Sequence, residues 1–163
     1  MLIRTATIED LEAVASVEAR CFPEAEAATE DEFRERLMSY GDHFLLLFED
    51  DKLISFVDGM VTDIPDLEDI MYEDASMHDP NGKWQMIFGV NTIPGYRRHG
   101  YAGNLIRKMI DLAREQGRDG LVLTCKDELV SYYSRFGFVS EGRSDKSCHG
   151  GVLWNQMRLR FDP

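Results

Sequence analysis

Between Trp84 and Cys125 the chain runs through an apolar segment, a glycine-rich turn, an amphipathic helix and a second apolar segment. The helix is read from Ala102, Leu105, Ile106, Met109, Ile110 and Ala113, which recur at the helical period and form one stripe. Arg107, Lys108, Asp111 and Arg114 fall on the other face, and Gly117 is a natural stop. Leu121-Val122-Leu123 is apolar without alternation, which suits a strand buried on both faces. Two apolar strands joined by one helix lie side by side in parallel, with a right-handed crossover. That unit commits the chain to a mixed α/β fold.

The flanking segments fit the same class. Leu2 to Ala6 reads as a strand, followed by a helix capped at Thr7 with Leu11, Val14, Ala15 and Val17 inside, ending at Phe22-Pro23. A second helix runs from a cap at Thr29 to about Tyr40, with Phe33 and Leu37 buried. His43 to Phe48 and Leu53 to Val61 form a hairpin about the turn Glu49-Asp50-Asp51-Lys52. Lys83 to Thr92 is one central strand, in which Gly89 marks a bulge or a close backbone approach. A helix capped by Asp127 ends at Gly137, and a polar turn from Glu141 leads to a last strand, Val152 to Phe161. The expected architecture is a single domain over residues 1–163. It has a central, twisted mixed sheet of about six or seven strands with about four helices.

Bulk properties narrow the function. A formal net charge of −12 argues against nucleic acid as the main partner and favours cationic ligands. No apolar run approaches the roughly 20 residues that cross a membrane. Cys21, Cys125 and Cys148 show neither pairing by number nor metal spacing, which suits a reducing, cytoplasmic compartment. No metal site is expected, Cys148-His149 being two residues in a polar turn.

Against this acidic background, residues 80–110 contain Lys83, Arg97, Arg98, Arg107 and Lys108 and no Asp or Glu. The island coincides with the start of the long helix. The first N–H groups of a helix have no intrahelical partner and point at whatever lies beyond its end. Gly100 and Ala102 let an anion approach the backbone, and Arg97 and Arg98 can add charge-assisted bonds. The plainer reading is an ordinary strand–turn–helix junction with solvated arginines. The turn is not a Walker loop, for no Gly-Lys-Ser/Thr follows, and its glycines at 95, 100 and 103 miss the dinucleotide spacing.

A second informative stretch is Leu123 to Phe138. On its helix Leu129, Val130, Tyr133 and Phe136 share an apolar face, while Tyr132 falls on the polar side with Glu128 and Arg135. Taken alone, Tyr133 is a core tyrosine whose hydroxyl wants a partner.

Together the two stretches resemble a known family. Arg97-Arg98-His99-Gly100-Tyr101-Ala102 resembles the pyrophosphate loop Arg/Gln-x-x-Gly-x-Gly/Ala of the GNAT acyltransferases. The helix ending in Tyr133-Ser134-Arg135-Phe136-Gly137-Phe138 is similar to their second hallmark, in the form found in arylalkylamine N-acetyltransferases. The resemblance is clear from about Trp84 to Phe161. It implies acetyl transfer from acetyl-coenzyme A to a primary amine by direct attack, with Tyr133 as the general acid that protonates the departing thiolate. It further implies that the cofactor lies along Phe88, Gly89 and Val90, its diphosphate on Arg97, Arg98, His99, Gly100, Tyr101, Ala102 and Gly103, with Asp127 and Tyr133 also in contact.

One departure matters. Arylalkylamine enzymes carry a His-x-His pair on the central strand, and the corresponding places here hold Trp84 and Met86. The base is therefore unassigned, His78, Glu73 and Asp74 being loop residues that reach the amine only through water. In such a fold the first two helices border the acceptor cleft, which makes Glu24 and Glu26 substrate candidates, the plainer reading of the acids around them being a solvated face. Asp63 to Asp79 holds seven acids and no Lys or Arg, an acidic rim suited to a protonated amine or simply a solvated loop. Acetylation of a protein N-terminus or lysine, and a non-catalytic acyl-coenzyme A sensor, are the rival readings. A homodimer is compatible with the sequence, which does not set the oligomeric state.

Overall fold

The computed structural model describes residues 1–162, the His149 side chain excepted. Nine strands are present among the described residues, in two sheets. The first sheet is antiparallel and joins β1 (Leu2–Thr5), β2 (Phe44–Glu49), β3 (Lys52–Asp58) and β6 (Gly89–Thr92) in that order. The second has β4 (Val61–Thr62) at one edge, then β5 (Trp84–Ile87), β7 (Gly120–Cys125), β9 (Asn155–Arg160) and β8 (Val139–Arg143). Among the described residues only β5 and β7 pair in parallel, Trp84 opposite Gly120 and Ile87 opposite Leu123, as the strand–helix–strand pattern demands.

Five α-helices accompany them among the described residues: α1 (Leu11–Cys21), α2 (Glu30–Tyr40), α3 (Ile70–Glu73), α4 (Tyr101–Glu115) and α5 (Val130–Ser134). The caps are formed by local chemistry. The Thr29 hydroxyl accepts from Glu32 N–H at 3.2 Å while the Glu32 carboxylate accepts from Thr29 N–H at 2.9 Å. The apolar stripe of α4 packs on β2, β3, β6 and β7. Phe33 of α2 meets Phe44 and Phe56 edge-on, at centroid separations of 6.2 and 5.9 Å, so α2 is locked to the first sheet by aromatic contacts.

Several expectations are corrected. The single central strand Lys83 to Thr92 is two strands, broken at Phe88, that belong to different sheets; hence nine strands in two sheets and not six or seven in one. Both halves are extended, so the exchange of partners shows locally only as Gly89, the residue read as a bulge or close approach. The strand expected over 53–61 likewise divides after Asp58. β8 was missed because all five of its residues are exposed and carry no alternation. The last strand starts at Asn155, not Val152. The helix expected after Asp127 opens as a 3-10 turn, with Lys126 at the cap position. The Asp127 carboxylate instead accepts from Arg143 Nη2 at 2.8 Å and Asn155 Nδ2 at 2.6 Å, tying the turn to β8 and β9.

Candidate active site

The break at Phe88 organises the site. Up to Ile87 the chain is hydrogen-bonded to β7; from Gly89 it is bonded to β3 on one side and, among the described residues, has no strand on its other edge. A cavity of about 660 Å3 lies against this opening. Phe88, Gly89 and Val90 form one wall, and the end of β7, from Leu123 to Lys126, forms another. Tyr133 enters from α5, and α1, α2 and the segment between them close the remaining side.

Tyr133 is buried, with Tyr132 edge-on at 5.1 Å and Phe138 at 6.2 Å. Burial, and then its neighbours Tyr132 and Cys125, push its hydroxyl well above the usual range. It therefore holds its proton at any physiological pH, as an acid must and a base must not. Tyr132 is half-buried rather than free on a polar face, and its ring also meets Phe136 at 5.3 Å. Cys125 is a packed strand thiol, 3.5 Å from the Met157 sulfur, and burial pushes it up to about 11, which makes it a poor nucleophile.

The positive turn follows β6. Gly100 stands at the cap of α4 with φ of 84°, in the left-handed region that glycine adopts without strain. No side chain caps this end and its first turn carries no acid, so the N–H groups of Tyr101, Ala102 and Gly103 face outward. Arg97 folds back, its Nε donating to Thr92 O at 2.9 Å, which fixes the turn against β6. Arg98 and His99 are exposed, and His99 stacks on Tyr101 at 6.1 Å. Gly103 is buried where α4 approaches Phe136, and its missing side chain faces that ring.

Other expected residues fall elsewhere. Asp127 does not line the cavity. Trp84 and Met86 are core residues, Trp84 lying beneath the guanidinium groups of Arg158 and Arg160. His78 is turned away, its Nδ1 accepting from Val61 N–H at 3.0 Å and its ring beside Tyr40 and His43. The acidic loop is largely occupied with holding itself in place. Asp66 accepts from Arg158, Lys146 and Gln156, and these bonds, that of Lys146 first, lower it below the usual carboxylate range. Asp63 and Asp79 accept backbone N–H groups. Of the seven acids only Asp69 and Glu73 line the cavity, and Asp69 is bonded to Ser147 and Cys148 N–H.

Residues not singled out from sequence also meet here. Glu18, Arg36, Asp58 and Asn91 come from α1, α2, β3 and β6 and are 6%, 3%, 1% and 1% exposed. Arg36 Nη1 donates to Asp58 Oδ2 at 3.1 Å and its Nη2 to Tyr72 O at 2.9 Å, with its guanidinium among the rings of Phe33, Tyr72 and Phe88. A signal did exist. Glu18 continues the stripe Leu11, Val14, Ala15, and Arg36 lies within the stripe Phe33, Leu37, Tyr40, so both are charges at core positions.

The model of the acetyltransferase (GNAT) family matches residues 11–138. The chain belongs to the GNAT acetyltransferase family. Within it, the chain is 28% identical over 113 residues to the serotonin N-acetyltransferase of Mesocricetus auratus, a match that covers 69% of this chain and 53% of that protein. This GNAT chain thus spans about half the length of that relative. Two solved structures share its fold. The loading GNATL domain of CurA from Lyngbya majuscula superposes with a TM-score of 0.84 at 16% identity, covering 98% of this chain and 96% of that one. The GphF GNAT-like decarboxylase in complex with isobutyryl-CoA superposes with a TM-score of 0.83 at 19% identity, covering 98% and 99%. No helix among the described residues is long and apolar enough to cross a membrane.

Proposed function

We propose that this GNAT chain transfers the acetyl group of acetyl-coenzyme A directly to a primary amine. The observation that carries the reading is the opened backbone edge at Gly89-Val90, which faces a cavity also entered by Tyr133 and lies one strand away from the uncapped end of α4. The residues present fit the donor. N–H groups of Tyr101, Ala102 and Gly103, with Arg97 and Arg98, hold its diphosphate. Phe88, Gly89 and Val90 flank its acyl arm; the Phe88 N–H is held by Asp58 O at 2.8 Å, so the donors for the carbonyl oxygen, where charge develops, are the N–H groups on the opened edge at Gly89-Val90. Acetyl-coenzyme A supplies an activated thioester. Tyr133 gives its proton to the departing sulfur, and no covalent link to the protein is required.

The acceptor is a cation. Glu26, Glu32, Asp69, Glu73 and Glu128 line the cavity together with Lys126, which is paired with Glu26 at 2.8 Å, and Arg36, which is paired with Asp58. The name of one similar protein, a serotonin N-acetyltransferase, supports acetyl transfer to an amine.

The test is release of free thiol from acetyl-coenzyme A with a panel of aryl amines, polyamines and lysine-type peptides. Release that depends on one amine class is expected. Tyr133→Phe should lower turnover by roughly 100-fold or more, within the range for a general acid, and leave coenzyme A affinity unchanged. Saturable coenzyme A binding without thiol release for any acceptor would replace the transferase reading with that of a sensor.

A further inference from the structure

The reaction needs a proton acceptor, because an alkylammonium is not a nucleophile. Neither Trp84 nor Met86 can serve, and His78 is turned away. The buried quartet around Gly89 has the geometry that these residues lack. A side-chain carbon placed on Gly89 would stand 3.1 Å from Asp58 Oδ1, 3.1 Å from Asn91 Nδ2 and 3.7 Å from Glu18 Oε1. All three atoms are buried and without a hydrogen-bond partner. Unpaired polar atoms in a protein interior are costly, and three converging over the bare Cα of Gly89, at the wall of the cavity, mark a place for a polar ligand group. Glu18, Asp58 and Gly89 also line the cavity, beside the opened backbone edge.

We propose that Glu18 is the general base, taking the proton from the acceptor ammonium held in the hollow over Gly89 by Glu18 Oε1 and Asp58 Oδ1. The inference rests on the transferase reading above. The choice between the carboxylates follows from their partners. Burial raises Asp58 to about 6, but the permanently ionised Arg36 bonded to its other oxygen pulls the other way and leaves it charged at neutral pH. Glu18 has only the Ala28 N–H, at 2.9 Å to Oε2, and the Asn91 amide nearby falls short of hydrogen-bond geometry.

The surroundings suit the role. Burial first, and then the charge of Asp58, push Glu18 up to about 7; the Ala28 N–H, Arg36 and the Asn91 amide pull the other way. Cys21, on the same helix, is a thiol raised by burial and stays neutral. A base is most effective when its own affinity for protons lies near the working pH.

The step balances. The Glu18 carboxylate becomes a carboxylic acid and the ammonium a neutral amine. Nitrogen then bonds to the acetyl carbon as the carbon–sulfur bond breaks. The second proton lost by nitrogen restores the Tyr133 hydroxyl that protonated the departing sulfur, and Glu18 returns its proton to solvent through the cavity. One proton is released per turnover.

The experiment compares the wild type, Glu18→Gln and Glu18→Asp in thiol release from pH 5.5 to 9.5, with coenzyme A affinity measured by calorimetry for each. The expected wild-type kcat/KM rises through an ionisation near pH 7. Glu18→Gln should be lower by roughly 100- to 10,000-fold at pH 7, the span of general-base catalysis, and recover towards pH 9.5 as free amine accumulates. Glu18→Asp should keep the acid limb at a reduced rate. Coenzyme A affinity should not change. Four results would overturn the assignment: a Glu18→Gln variant with the wild-type rate and acid limb; a wild-type profile with no ionisation near pH 7; a folded Glu18→Asp as inactive as Glu18→Gln; or a wild type that binds coenzyme A and acetylates no amine. The last would remove the transferase reading as well, whereas the first three leave it standing.

Discussion

A buried carboxylate held ready for a proton should weaken the fold that holds it, and Glu18→Gln tests this without reference to catalysis. The Glu18 carboxyl is displaced from an ordinary 4.5 to about 7, chiefly by burial. A group raised in the folded state contributes stability that is fully present below its unfolded value and lost as the pH rises through its folded one. At about 1.4 kcal/mol per pH unit, the wild type should lose about 3 kcal/mol relative to the variant between pH 4.5 and pH 7. Glutamine is isosteric and uncharged, still accepts from Ala28 N–H, and offers its own N–H groups to Asp58. Asp58, raised to about 6 by burial against the opposing pull of Arg36, is common to both proteins. Removing the neighbouring charge lets it ionise more easily, which adds to the gain at neutral pH. Urea denaturation at half-unit pH intervals measures the effect. For a urea dependence of about 2 kcal/mol per molar, the two midpoints should separate by on the order of 1 to 2 M between pH 4.5 and 8. Stability curves that run parallel over this range would refute the reasoning, for Glu18 would then be no more strained folded than unfolded.

Two further outcomes follow from the same geometry. Arg36→Met keeps the volume and the contact with Phe33, Tyr72 and Phe88 but leaves Asp58 buried without its partner; a loss of roughly 3 to 5 kcal/mol is expected at pH 8, shrinking as the pH falls and Asp58 takes up a proton, and a loss below about 1 kcal/mol would show the pair to be dispensable. Arg97→Ala removes both a cation beside α4 and the bond that ties the turn to Thr92 O, so coenzyme A binding measured by calorimetry should weaken by roughly 10-fold while turnover at saturation is retained; a loss of turnover with binding intact would contradict its placement at the diphosphate.

Much of the fold could be read from periodicity. The stripe from Ala102 to Ala113 and the uninterrupted Leu121-Val122-Leu123 carry the parallel pair β5–β7, because one helix between two buried strands admits few other arrangements. The Thr29 cap was visible for a similar reason, its partner Glu32 being three residues away. Asp127 shows where such local reasoning fails. A carboxylate at that place can cap a helix, but Arg143 and Asn155, brought near by β8 and β9, offer it more. The exposed strand β8 left no pattern to read at all.

The candidate site divides along the same line. The positive turn and Tyr133 lie within short stretches whose order along the chain is their meaning, so the sequence by itself determined the fold class, the positive, uncapped start of α4 and the tyrosine that faces the sheet. Where the chain from Trp84 to Thr92 leaves β7 for β3 depends on partners more than 30 residues away in either direction, and Gly89 marks an irregularity there without saying which partners are exchanged. The cluster of Glu18, Arg36, Asp58 and Asn91 depends on tertiary structure still more completely. Four residues from two helices and two strands become a proton-accepting hollow only when packing removes water from them and sets them around a glycine without a side chain. Burial raises the proton affinity of Glu18, and burial is a property of the assembled fold.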